Sequence, residues 1–124
     1  MGERVIMNRE ILFKAKRKDN GEWVEGYVVA YPSGKVEIHK ISKELPDILL
    51  KCEIAPSTLC QYTGLTDKNG KKIWENDLLG HKLNRVEFLN GTYCINGDRS
   101  LFFEANTNEV IGNIFDNQEM LEVE

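Results

Sequence analysis

The chain has 124 residues, 41% of them hydrophobic and 29% charged, with a formal net charge of −4 and a pI near 5.3. This length allows one ordinary domain or two small β units, and no apolar run nears the roughly 18 residues that span a bilayer. The acidic balance counts against a sequence-blind phosphate binder, because such proteins carry a basic stripe.

Residues 1–8 read as a leader without a signal peptide's apolar core or cleavage site, so a cytoplasmic location is expected. Ile11–Lys18 reads as a strand, with Ile11, Phe13 and Ala15 on one face and Lys14 and Lys16 on the other. The lysines are expected on the solvated outer face of an edge strand. Asp19-Asn20-Gly21 is a hairpin signal. The strand after it, Trp23–Tyr31, contains Gly26, which marks a bulge or a close backbone approach. Tyr31-Pro32-Ser33-Gly34 fits a type I turn. In the next strand Val36 and Ile38 form the apolar face, and His39 joins Glu37 on the polar face as an exposed histidine. Ser42–Leu50 reads as a connector with one turn of helix, and Ala55-Pro56-Ser57 punctuates the chain. A boundary there divides residues 1–59 from residues 60–124.

The most informative stretch is Cys60–Leu79, C-Q-Y-T-G-L-T-D-K-N-G-K-K-I-W-E-N-D-L-L. Asp67, Asn69 and Gly70 predict a type I turn closed by a left-handed glycine, the usual three-residue bulged hairpin loop. Gln61-Tyr62-Thr63 leads in and Lys72-Ile73-Trp74 leads out, both with the β-branched and aromatic residues that suit strands. Glu75-Asn76-Asp77 predicts a tight acidic corner with Asn76 at positive φ.

Three segments resemble the YopX family of phage and prophage proteins. The central one is similar to the family pattern Q-Y-T-G-L-K-D-K-N-G-K-E-I-Y-E-G-D-I-V, through Gln61, Tyr62, Thr63, Gly64, Leu65, Asp67, Asn69, Gly70, Trp74, Glu75 and Asp77. Arg9–Ala15 resembles R-E-I-K-F-R-A, and Val110–Asn117, with Gly112 and Asn113, resembles V-I-G-N-I-Y-E-N. Trp74 stands where the family has Tyr, and Asn76 where it usually has Gly. The resemblance implies a mainly β protein with an SH3-type barrel in its C-terminal half, and no established activity.

In the last third, Asn90-Gly91 predicts a two-residue hairpin pairing Leu89 with Thr92, Phe88 with Tyr93, and Val86 with Ile95. Val86, Phe88, Tyr93 and Ile95 then form a core face. Ser100–Glu104 and Val110–Ile114 read as strands, and Asp116 with Glu119 resembles a capping box opening a short helix that carries Met120 and Leu121.

Chemistry is sparsely signalled. Cys52, Cys60 and Cys94 include no closely spaced pair, which disfavours a disulfide framework or zinc site and predicts buried small hydrophobes. Cys94 opposite Glu87 would have a raised thiol pKa, the reverse of an activated nucleophile. Glu75 and Asp77 lack a partner for acid–base work and suit bonds to turn amides. Trp23, Trp74, Tyr62 and Tyr93 could stack on single strands or fill the core. No catalytic, cofactor or metal motif occurs. The expected function is a non-enzymatic module making contacts with a protein partner or a second copy of itself. A nucleic-acid-binding small barrel is the first alternative and an enzyme with an unfamiliar site the second.

Overall fold

The computed structural model describes residues 10–41, 49–81 and 83–120. The leader, the connector over 42–48 and Leu121 lie outside the described residues. The strands are β1 (Phe13–Lys16), β2 (Trp23–Ala30), β3 (Val36–Ile41), β4 (Leu49–Glu53), β5 (Cys60–Thr66), β6 (Lys72–Trp74), β7 (Asp77–Leu79), β8 (Val86–Leu89), β9 (Thr92–Ile95), β10 (Arg99–Ser100) and β11 (Val110–Asn113). Among the described residues one short helix, α1 (Leu101–Glu104), and a few 3-10 turns complete a mainly β fold.

All strand pairs are antiparallel. They form a six-stranded sheet in the order β4-β3-β2-β1-β5-β6, a three-stranded sheet β10-β9-β8, and the pair β11-β7. The described strands do not close into the SH3-type barrel that the resemblance implied. Instead β5 crosses from the C-terminal half to pair with β1, matching Phe13 to Gln61 and Lys14 to Cys60. That pairing also corrects the edge-strand expectation. β1 is an inner strand, and its lysines lie half-buried against aromatic rings.

Three apolar clusters hold the sheets. Ala15, Ile38 and Ile54 form one, packed by Phe13, Val24 and Val28. Ile73, Leu79, Val86, Ile95, Leu101 and Ala105 form another. Cys60, Tyr62 and Trp74 form a third, with Leu12, Trp23 and Phe115 against it. A fully buried Leu or Ile contributes about 1.5–3 kcal/mol, so Leu79, Ile73 and Ile95 anchor the C-terminal elements.

Gly26 is a close approach rather than a bulge. It pairs in register with Phe13, and a Cβ there would lie 2.5 Å from His39 O and 2.9 Å from Ile38 Cγ2. Gly26→Ala is expected to cost about 2 kcal/mol by overpacking. A urea melt within about 0.5 kcal/mol of the native protein would refute this crowding.

Four further expectations change. Phe102 and Phe103 are 67% and 80% exposed, whereas Leu101 and Ala105 are buried. A spacing of four places both buried residues on one helical face, so helix α1 displaces the expected strand. The β8–β9 register is as read. Only its base is core, however: Val86 and Ile95 are buried, while Phe88 projects with its ring 4.9 Å from Tyr93's. Asp116 opens no helix; Gln118–Met120 is a 3-10 turn, and the Asp116 carboxylate is engaged elsewhere. His39 is half-buried, with Nε2 2.8 Å from Glu37 Oε1.

Glu37 is itself buried. His39, the Tyr31 hydroxyl at 2.8 Å and the Lys35 ammonium at 3.1 Å hold its carboxyl down at about 2. Cys60 and Cys94 are buried and Cys52 half-buried; burial raises the Cys60 thiol pKa. Among the described residues no three His, Cys, Asp or Glu side chains gather as a metal site, and no helix is long and apolar enough to cross a membrane.

Candidate functional site

The central hairpin is built on one carboxylate. Asp67 Oδ1 accepts the amides of Asn69 (2.8 Å) and Lys71 (2.9 Å), closing the turn around Gly70 at φ 80°. Its Oδ2 accepts the amide of Val110 at 2.9 Å, which fastens the turn to β11. Asn69 adds a bond to Glu109 at 3.0 Å. β5 carries a bulge between Tyr62 and Thr66. Gly64 takes φ 86° there, and the Thr63 hydroxyl donates to Ile73 O at 2.8 Å, while Leu65 N reaches that hydroxyl at 3.2 Å.

The acidic corner forms as read. Glu75 Oε1 accepts Gln61 N at 2.6 Å, Asp77 Oδ2 accepts Trp74 N at 2.8 Å, and Asn76 sits at φ 72°. At the chain's far end, Asn113 Oδ1 accepts the amides of Phe115 and Asp116, and its own amide reaches Asn117 Oδ1.

These anchors enclose a cleft of about 340 Å³, lined by Lys14, Glu25, Lys71, Lys72, Trp74, Asp77, Val110, Gly112 and Asn113. Four residues named from the sequence meet there: Trp74, Asp77, Gly112 and Asn113. Gln61, Tyr62, Thr63, Gly64, Leu65, Asp67, Asn69, Gly70 and Glu75 do not line it; they shape the strands and turns that do. The sequence reading placed no site at Lys14, Glu25, Lys71, Lys72 or Val110. The cross-strand pair Lys14–Glu25 was within reach of a hairpin register argument.

The Lys14 ammonium lies 4.6 Å from the Trp23 ring centre and 5.1 Å from that of Trp74. Each such contact contributes about 0.5–1 kcal/mol or more and holds the long side chain across the cleft. Among the described residues, Lys14 and Lys71 have no carboxylate within 4.0 Å, and Lys72 has only Glu10 at 3.8 Å. Asp77 is 2% exposed, and burial pushes its carboxyl up to about 6 against the pull of the Trp74 amide and of Lys14 and Lys71.

Beside the cleft, Asp116 takes the Trp23 indole N–H at 2.7 Å, the Asn113 side-chain amide at 3.1 Å and Lys16 at 2.6 Å. Burial would raise its pKa, but these bonds outweigh that and hold it at about 2. The Trp23 ring under the Lys14 ammonium is thereby fixed.

The family profile described as YopX protein matches residues 12–122. The chain belongs to the YopX family. No curated protein matches it. All nine residues that line the cleft fall inside the YopX match, from Lys14 on β1 to Asn113 on β11.

Proposed function

We propose that this YopX-family chain is a phage-type, non-enzymatic binding module that holds an acidic segment of a protein partner in the Lys14–Asp77 cleft. The observation that carries the reading is a cleft lined by three lysines in a chain of net charge −4. Opposite charges at such a site steer and orient a partner, while the overall negative charge repels nucleic acid. Glu75 spends its carboxylate on a backbone amide, which supports a scaffold role rather than acid–base work.

The test passes bacterial lysate over the immobilised chain and over a Lys14→Gln/Lys71→Gln variant. A protein retained by the first, lost at high salt and retained at least about tenfold less by the second is expected. Equal retention by both would overturn the cleft as the site. Sedimentation would identify the partner as a second copy if dimers form and the variant abolishes them. Mixed-sequence DNA or RNA is expected to bind no tighter than about 10 μM near physiological salt. A mobility shift at lower protein concentration would replace the protein partner with a nucleic acid.

A further inference from the structure

The contents of the cleft say more about what enters it, and this inference rests on the reading above. We propose that the cleft is an oxyanion pocket, in which a carboxylate or phosphate group of the ligand lies between the ammonium groups of Lys14 and Lys71. There it shares one solvent-derived proton with Asp77 Oδ1.

Asp77 is the feature that calls for explanation. Its Oδ2 is occupied by Trp74 N, but among the described residues Oδ1 has no hydrogen-bond partner. No fully enclosed polar atom there lacks a partner, so Oδ1 is not completely enclosed, and Asp77 lines the cleft. The groups facing Asp77 are Lys14 from β1, Glu25 from β2, Lys71 and Lys72 at the start of β6, and Asp67 beyond the turn. β11 contributes Val110, Gly112 and Asn113, none of which titrates. The charges of Lys14 and Lys71 therefore reach Asp77, whereas the Lys72 ammonium lies 5.6 Å from the Tyr62 ring centre. A proton on Asp77 removes its own negative charge from the pocket lining and lets Asp77 donate to an incoming oxygen. Two acidic groups in contact share a proton for the same reason that neighbouring carboxylates cannot both ionise. The volume, near the lower end of ordinary ligand sites, accommodates an oxyanion with part of the chain that carries it.

Burial holds Asp77 at about 6, so at neutral pH the group is largely charged and must take up a proton when an anion arrives. Oxyanion affinity should therefore rise about 20-fold between pH 7.5 and 5.5, approaching tenfold per unit above the pKa and flattening below it.

The experiment uses the full chain labelled with nitrogen-15, titrated with a hexaglutamate peptide and with inorganic sulfate, a tetrahedral oxyanion that does not titrate in this range. Expected shifts fall on the indole N–H of Trp23 and Trp74 and on the Gly112 amide. The stronger probe tells a carboxylate source from a phosphate-like one. Lys71→Gln, at an exposed residue, weakens both probes without altering the remaining spectrum. Asp77→Asn, if its spectrum shows a folded chain, binds at pH 7.5 as the native protein does near pH 5.5 and loses the pH dependence. Absence of shifts with both probes at millimolar concentration, or affinity independent of pH in the native chain, overturns the proposal. Cleft-dependent retention of a protein without oxyanion binding sinks this inference and spares the binding-module reading. Oxyanion binding without a retained protein does the reverse.

Discussion

Asp67→Ala is expected to destabilise the protein by about 4 kcal/mol, because one charged acceptor serves three backbone donors and such bonds contribute roughly 1.5–3 kcal/mol each. The residue is 5% exposed, and Val110 is half-buried, so the Val110 amide left behind is poorly placed to recover water. Burial raises the Asp67 pKa, but the bonds from Val110, Lys71 and Asn69 outweigh it and the net shift is downward. A lowered carboxylate pKa contributes stability above the unfolded value, here 3.8, and loses it as pH falls through the folded value. The penalty of Asp67→Ala should accordingly shrink in acid. Gly70→Ala provides the contrast: no heavy atom lies within 4 Å of a Cβ there, so only the left-handed backbone at φ 80° resists, at about 1 kcal/mol. Urea melts at neutral pH measure both. If the two penalties are equal, Asp67 is an ordinary turn residue and does not tie the hairpin to β11.

Asp77→Asn should act in the opposite direction and depend on pH. The native carboxyl is pushed up to about 6 from 3.8 by burial. Below about pH 3.8 the group is protonated in both folded and unfolded chains and adds nothing. As pH rises from 3.8 to 6, the unfolded chain ionises first and stability falls; above 6 the full deficit is present. Its size is about 3 kcal/mol, taking roughly 1.4 kcal/mol per pH unit. Asparagine keeps an acceptor for the Trp74 amide and carries no charge. The variant should therefore match the native protein near pH 4 and exceed it by up to about 3 kcal/mol at pH 7.5, read from urea midpoints at both values. A difference that does not change with pH would mean that Asp77 is not a strained carboxylate. A charge kept where it weakens the fold is the pattern expected of a working residue.

The parts legible in the sequence are those whose physics closes within a few residues. Asp67 finds Asn69 and Lys71 locally, Asn90-Gly91 fixes the β8–β9 register by itself, and Asn76 takes the positive φ that its short amide tolerates. Helix α1 was hidden because Leu101-Phe102-Phe103 is as apolar as a buried strand, and only the core reveals that Leu101 and Ala105 share a face. Glu37 and His39 alternated correctly, but alternation does not reveal that Tyr31 and Lys35 fold over them. The cleft was least legible. Lys14, Trp74, Asp77 and Asn113 come from four strands, and nothing local to β1 announces that β5 will pair with it. Once β1 was placed at an edge, its lysines could only look like a solvated surface.

The inner position of β1 also bears on synthesis. As the chain leaves the ribosome, β2 can pair with β1 and β3 with β2, since these are neighbours in sequence. The other side of β1 stays open until the segment from Ile54 to Gln61 has been made. Throughout that interval the nascent protein shows a raw strand edge, the kind of surface on which chains stick to one another. Lys14 and Lys16 lie on that strand, and their like charges discourage a second nascent chain from pairing there before β5 arrives. Lys14, which lines the finished cleft, would thus serve first as a guard of an unfinished sheet.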